Sequence, residues 1–461
     1  MTPALANHKN RLYFDSLMIP HRLPVFLLGL GLCAGKPAWS QDSASVWDLK
    51  TCLTYAKDNN ITIGSARLNV ETGQQELLLS RAAKLPSLGA TTSQTYTHSN
   101  NANPVVGGFQ TQSSFASDYS VSSGMTLYQG GYLNDVIRQN QLVLRSDNLA
   151  VLEDIDNISV QITAAFLNIL LAKETIVYEK DLVTTSQAQV KQAQQEYDAG
   201  SIARVDLAQL QAQLATDQYT LVTGKSALRQ ALLNLKVLLQ LPYGTAFDVA
   251  SPRDSLMATA LVPSLDSAQG IAYQTRPEIK IGQLGIQSAQ LDLAKARSGY
   301  YPTLRASAAL STGYSNNNTD SYFRQIDDNF FQEAGITLSI PIFSNRVNRT
   351  NVENAKIEIK QQELNLRGAT IALSQTVEQA YINVVNAQGQ YNASLDQLKY
   401  TQESYRIATE ELKVGAANTV QFLQQKNAYV QALQAYVQAK YNAVLDVKIY
   451  DFYTGVPIDL Q

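Results

Sequence analysis

The stretch "YDAGSIARVDLAQLQ" (Tyr197 to Gln211) returns 215 residues later in worn form as "LKVGAANTVQFLQQK" (Leu412 to Lys426). This repetition constrains the chain more than any other feature. Gly200 pairs with Gly415 and Pro242 with Pro457 at that same spacing of 215. Upstream, "KLPSL" (Lys84 to Leu88) meets "YYPTL" (Tyr300 to Leu304), and "NNITI" (Asn59 to Ile63) meets "TRPEI" (Thr275 to Ile279), both at 216. One matched glycine would mean little, but four anchors in register mean a duplication. The first copy is set at 41–242 and the second at 265–457, with a linker at 243–264 and a short tail at 458–461.

Each copy reads as a helix, two strands, a long helix, a break and a second helix. The stretch from about Leu133 to Tyr197 contains neither Pro nor Gly, and at about 1.5 Å per residue it would run roughly 100 Å. Its partner, from about Val347 to Val414, is interrupted only by Gly368 and Gly389. Gly200 and Gly415 then supply the left-handed residue that ends a helix, with Asp206 or Thr419 near the start of the next. After Val205 the positions Leu207, Leu210, Leu214, Asp217, Leu221, Gly224, Leu228, Ala231, Leu235 and Leu238 alternate spacings of three and four, a coiled-coil seam. In the second copy Leu423, Val430, Leu433, Val437, Val444 and Val447 form such a seam, interrupted by Lys426 and Lys440. A parallel stripe, Phe422, Tyr429, Ala432, Tyr436, Ala439 and Ala443, runs beside it. Two seams on one helix imply neighbours on both sides, as in a ring of helices.

Between the helices the period changes to two. Leu304, Ala306, Ala308 and Leu310 alternate with small polar residues, as do Ala334, Ile336, Leu338, Ile340 and Ile342. The first copy is weaker, with Leu88, Ala90, Thr92 and Tyr96, then Tyr119, Val121, Met125 and Leu127. Strands of about 9 to 13 residues with one apolar and one polar face fit a barrel wall in an outer membrane. Four strands cannot close a barrel, because the smallest need about eight. Open edges cannot face lipid, so several copies of the chain must pool their strands.

The run "LPVFLLGLGLCAG" (Leu23 to Gly35) follows His21 and Arg22 and precedes "AWS" before Gln41, the pattern of a secretory leader over residues 1–40. Met18 is an alternative start, and Leu32 before Cys33 does not fit a lipoprotein site. Charged residues make up 16% of the chain, below the usual share of about 25%. Removing residues 1–40 takes away Lys9, Arg11, Arg22, Lys36 and Asp15 and leaves a net charge of −6, which argues against nucleic acid as a partner. One cysteine (Cys52) and one histidine (His98) then remain, so no internal disulfide can form and Cys/His chemistry has almost nothing to work with. No metal or cofactor is expected, and no catalytic constellation is legible. His98 stands alone in an expected strand.

The motifs taken in order resemble the TolC-like outer membrane efflux proteins over essentially the whole mature chain. "YDAGSIARVDLAQLQAQ" and "LKVGAANTVQFLQQKNAYVQA" are similar to the family's paired helix turns. "YYPTL" is similar to its helix-to-strand passage, "LSIPIFSNRVNRTNVENAK" to its strand-to-helix exit, and "WDLKTCLTYAKDNN" to its first periplasmic helix. The resemblance implies a mixed α and β membrane protein. It would be a homotrimer with a 12-stranded transmembrane β-barrel, four strands per protomer, continued by a long periplasmic α-helical barrel of coiled-coil hairpins. It also implies a location in the outer membrane of a Gram-negative type envelope, and the role of passive exit duct in a tripartite efflux or type I secretion system. The partners would be outer membrane lipid, a periplasmic adaptor and an inner-membrane pump. The hairpin tips, Gly200, Ser201, Ile202, Gly415, Ala416 and Ala417, would meet the adaptor. Of the positions that close the mouth in relatives, the acidic ones fall here on Gln421 and Gln424 and a basic one on Ala417, leaving Arg204 and Asp206 as the charges of the gate. Helix capping or first-turn dipole matching is the competing reading of Asp206. A secreted coiled-coil rod or adhesin is the alternative for the whole chain, although a rod needs no period-two segments.

Overall fold

The computed structural model describes residues 45–102, 107–251, 261–456 and 458. The leader, the Pro457 anchor, most of the tail and part of the linker lie outside them. The duplication is visible in element lengths. The helices α1 (Leu49–Asn59) and α2 (Ile61–Ala82) of the first copy match α5 (Leu265–Thr275) and α6 (Pro277–Ser298) of the second, at 11 and 22 residues in each copy. The long helices α3 (Tyr132–Asp198) and α8 (Val347–Lys413) have 67 residues each. The return helices α4 (Arg204–Leu239) and α9 (Thr419–Tyr453) have 36 and 35.

The single first helix expected in each copy is in fact two. Asn60 caps the end of α1 and the start of α2 at once, with extended backbone and its side chain accepting from the amides of Thr62 and Ile63. In the second copy Pro277 opens α6 and holds Arg276 extended, because a proline disfavours helical backbone in the residue before it. Arg276 is buried, reaching Asp156 at 3.0 Å and Glu278 at 3.2 Å while its guanidinium lies 4.4 Å from the Phe452 ring centre. That cluster ties the break to α3 and to the end of α9.

The linker is more ordered than the sequence suggests. Within it β4 (Phe247–Val249) pairs in parallel with β1 (Ser45–Trp47), and both sit on α1. Around them lies the main core: Cys52, Ile162, Phe166, Leu170, Leu235, Leu239, Val437 and Val444. Burial raises the Cys52 thiol to about 12, so it is an inert apolar group there. The helix α3 contains an 18-residue window with mean hydropathy 1.5, 33% of it buried, which the sequence reading did not single out. The buried residues Ile162 to Leu170 belong to this core, so the apolar run serves packing among α1, α3, α4 and α9.

Four strands, β2 (Ser87–Ala102), β3 (Phe109–Gln129), β5 (Thr303–Ser315) and β6 (Phe331–Ser339), form one antiparallel sheet in that order. The first-copy strands are 16 and 21 residues long, longer than the expected span, because β2 and β3 extend as a hairpin beyond the rest of the sheet. Ile340 and Ile342 fall outside β6, where Pro341 has no amide to continue the ladder. The register sorts side chains cleanly. Leu88, Tyr96, Val121, Leu310, Ile336 and Leu338 share one face, each at least 41% exposed in the protomer. Thr91, Ser93, Asp118, Ser120, Ser122, Arg305, Ser307, Glu333 and Thr337 share the other. His98 stands opposite Ser113, its Nδ1 at 2.8 Å from the hydroxyl. In the connection between β5 and β6 a short helix forms, α7 (Tyr322–Asp328).

Candidate functional site

At the end of the long helices away from the sheet, each copy turns back on itself in the same way. Gly200 and Gly415 have φ of 74° and 73°, a conformation that costs a side-chain-bearing residue about 1–2 kcal/mol. The amide of Ser201 donates to Glu196 O and that of Gly200 to Tyr197 O. In the second copy Ala416 donates to Glu411 O and Gly415 to Leu412 O, so both turns satisfy the same two orphan carbonyls.

The starts of the return helices differ. Ala203 gives α4 no side-chain cap, and Asp206 sits in the first turn, where a carboxylate complements the positive end of the helix. Among the described residues no ion pair joins Asp206 to Arg204. Asn418 caps α9 in a reciprocal box: Gln421 N donates to Asn418 Oδ1 at 2.9 Å, and Asn418 N donates to Gln421 Oε1 at 3.2 Å. Gln421 is thereby committed to its own helix start.

Between the two tips lies a cleft of about 250 Å³. Of the expected site residues, Ile202, Asp206, Gly415 and Ala417 line it, together with Glu196, Leu210, Lys413 and Phe422. Gly200, Ser201 and Ala416 project from the turns, while Arg204, Gln421 and Gln424 are exposed and lie outside the cleft. Beneath the cleft, Phe422 is fully buried among Ala193, Leu207, Leu210 and Ala408. Tyr405 stacks on Tyr429 with ring centres 5.2 Å apart and 9° between planes.

The strongest link between the hairpins lies farther in and was only half legible. Lys426, read from sequence as an interruption of an apolar seam, is fully buried, and its ammonium meets Asp217 at 2.9 Å. Asp217 is itself 7% exposed. The Ser186 hydroxyl donates to Asp217 and accepts from Lys426, so α3, α4 and α9 are joined at one point. The duplicated positions, Gln211 and Ala432, carry no charge, so this pair belongs to one interface only. Lys440, the second interruption, bonds both oxygens of Glu174 at 2.9 and 3.0 Å, and the Tyr441 hydroxyl donates to the same carboxylate at 2.7 Å. The clue in the sequence was a lysine in a seam; its partners, more than 200 residues away, could not be paired by spacing.

Glu179 was not anticipated at all. Its carboxyl packs over Gly224, where a Cβ would come within 2.2 Å of Oε2. It is 4% exposed, and Oε2 has no hydrogen-bond partner. Burial without a compensating charge raises it to about 7. Its neighbours across a small polar cavity are Asp217, Gln213, Thr216 and Thr220 from α4, and Asn427, Gln431 and Gln434 from α9.

A duplicated chain of paired coiled-coil hairpins beneath an amphipathic antiparallel sheet is the build of an outer membrane channel. The family model for outer membrane efflux proteins matches residues 53–239 and 270–448, and the chain belongs to that family. It is 21% identical over 405 residues to the outer membrane efflux protein BepC of Brucella suis biovar 1 (strain 1330), covering 86% of this chain and 83% of that one. To the outer membrane protein TolC of Escherichia coli (strain K12) it is 23% identical over 438 residues, covering 92% and 84%. A crystal structure of the channel protein CusC superposes with a TM-score of 0.77 at 19% identity, over 90% of this chain and 94% of that one. The protein is an outer membrane efflux channel component of a Gram-negative envelope. The rod or adhesin reading is not supported.

Proposed function

We propose that three copies of this chain form one passive duct, and that its periplasmic mouth is the ring of six hairpin tips. The observation that carries this reading is the sheet: β2 and β6 are both open edges, and one face carries the exposed apolar residues Leu88, Tyr96, Val121, Leu310, Ile336 and Leu338. Such edges are tolerable in lipid only if β6 of one protomer pairs with β2 of the next. Three sheets of four strands would then close a barrel with its apolar face outward and its serines and threonines toward water.

In this reading the mouth is closed by Arg204, Asp206, Gln421 and Gln424, with amides where relatives carry carboxylates. The ring therefore narrows the duct without trapping cations. A periplasmic adaptor would seat against Gly200, Ser201, Ile202, Gly415, Ala416 and Ala417 and draw the tips apart, with energy supplied by an inner-membrane pump. The cleft between the protomer's two tips offers small residues over the apolar floor of Leu210 and Phe422, which suits a helical hairpin from such a partner. Channels of this family are homotrimers that work with adaptors and pumps. Relatives include a pyoverdine export protein and a cation efflux protein, so the scaffold serves unlike cargoes.

Imaging of detergent-extracted particles tests the reading. Hollow end views with three-fold symmetry and ion conductance in planar bilayers are expected. Compact monomers recovered without detergent would refute it.

A further inference from the structure

We propose that α7 is a membrane-interface helix that folds back onto the outer wall of the barrel and docks into outer-leaflet lipid at the headgroup boundary. The inference rests on the reading of the sheet as a barrel wall with its apolar face outward, and the test separates the two.

The strand register decides which side α7 occupies. Tyr119 stands opposite Thr312, Ser117 opposite Tyr314, and Val121 opposite Leu310, so these residues share the face that carries Leu88, Ile336 and Leu338. The sheet side chains that bond or stack with α7, Tyr119, Thr312 and Tyr314, belong to that face. The Tyr322 ring lies 5.2 Å from that of Tyr314, and its hydroxyl donates to the Tyr119 hydroxyl at 3.0 Å. Thr312 donates its hydroxyl to Ile326 O at 2.6 Å. The helix therefore leans away from the polar face and leaves the lumen side of the loop uncovered. It does so at the ends of β5 and β6 farthest from α3 and α8, beside the β2–β3 hairpin, which runs on past the end of β5.

The position is fixed and does not depend on a partner. Gln325 is 1% exposed; it accepts from Ser315 N at 2.9 Å and donates to Asp320 O at 2.7 Å. Asn329 donates to Gly313 O at 2.8 Å. Held this way, the helix exposes Phe323 at 83% beside the half-exposed Tyr322, and Phe330, in the connection to β6, is 52% exposed. Arg324 meets Asp320, just before the helix, and Asp328 at its end, so its charge is paired locally and the rings are left for an apolar contact. Aromatic rings at the top of a lipid-facing wall, next to ion-paired side chains, match the boundary between acyl chains and headgroups. The apolar patch is also continuous with the lipid face of the sheet below it through Leu310 and Val121.

Nitroxide labels read this directly, because Cys52 is fully buried and will not compete for label. Full-length chains carrying Cys33→Ser, which removes the other cysteine, together with Phe323→Cys, Ile336→Cys or Glu333→Cys are labelled, reconstituted in lipid bilayers, and probed by collision with oxygen and with a water-soluble nickel chelate. The label at Ile336 should collide with oxygen several-fold more than with nickel, and the label at Glu333, on the polar face, the reverse. The label at position 323 should favour oxygen but lie shallower than that at 336, and adding Gln325→Ala should return it to water. A label at 323 that follows Glu333, while 336 stays in lipid, overturns the docking of α7 and leaves α7 above the barrel mouth. A label at 336 that favours nickel overturns the barrel wall itself.

Discussion

Replacing Lys426 by alanine tests whether one buried charge pair holds the two hairpins together. The ammonium is fully shielded and Asp217 is 7% exposed, so the substitution leaves a mostly buried carboxylate without its cation, bonded only by Ser186 and Gln213. Removing one member of such a pair costs about 3–5 kcal/mol. A solvated pair such as Arg406 with Glu403, whose side chains are 63% and 56% exposed, contributes far less because water screens both charges. Ser186 cannot replace the lost cation, since its single hydroxyl proton already goes to Asp217. The double change Lys426→Met with Asp217→Leu removes both charges and fills the space with apolar atoms; it should be near neutral or stabilising. The assay is denaturant unfolding of the detergent-solubilised protein, read as a double-mutant cycle with Lys426→Ala, Asp217→Ala and the pair. A loss below about 1 kcal/mol for Lys426→Ala, the range of a solvated pair, would refute the reasoning.

Three further outcomes follow from the site. Glu179 has a folded-state value raised to about 7 from an ordinary 4.5, so its contribution is fully present below 4.5 and is lost as pH rises through 7. Melting temperature should therefore fall between about pH 4.5 and about pH 7 and level off above that, and Glu179→Gln should flatten that slope; an unchanged slope in the variant would assign it to another group. Gly415→Ala should cost about 1–2 kcal/mol through backbone strain alone, because an added Cβ meets nothing within 4 Å, and Gly415→Asn should cost less; equal losses for both in thermal unfolding would contradict this. Asp206→Ala should raise single-channel conductance events and antibiotic leakage if Asp206 closes the mouth, and should change only helix stability, by about 0.3–1 kcal/mol, if it serves the helix dipole.

What the sequence by itself determined was periodicity. A constant spacing of 215 or 216, two Pro-poor stretches of helical period and four of period two are local properties of the chain, and each maps onto an element of the fold. The glycines at the tips belong with them, because a left-handed residue is a local demand that few side chains satisfy. Local signals also misled where a neighbour overrode them. Ile340 and Ile342 keep the strand alternation but follow a proline-broken ladder, and "SYFRQIDD" looks like a loop until Tyr119 and Gln325 hold it as a helix. Only the tertiary structure decided which polar residues in apolar seams are partners. Lys426 meets Asp217 and Ser186 across 209 and 240 residues of chain, and Lys440 meets Glu174 across 266. Such pairs leave no periodic trace. A charge is stabilised in the interior by whatever charge arrives within hydrogen-bond distance, and that is set by how three helices cross.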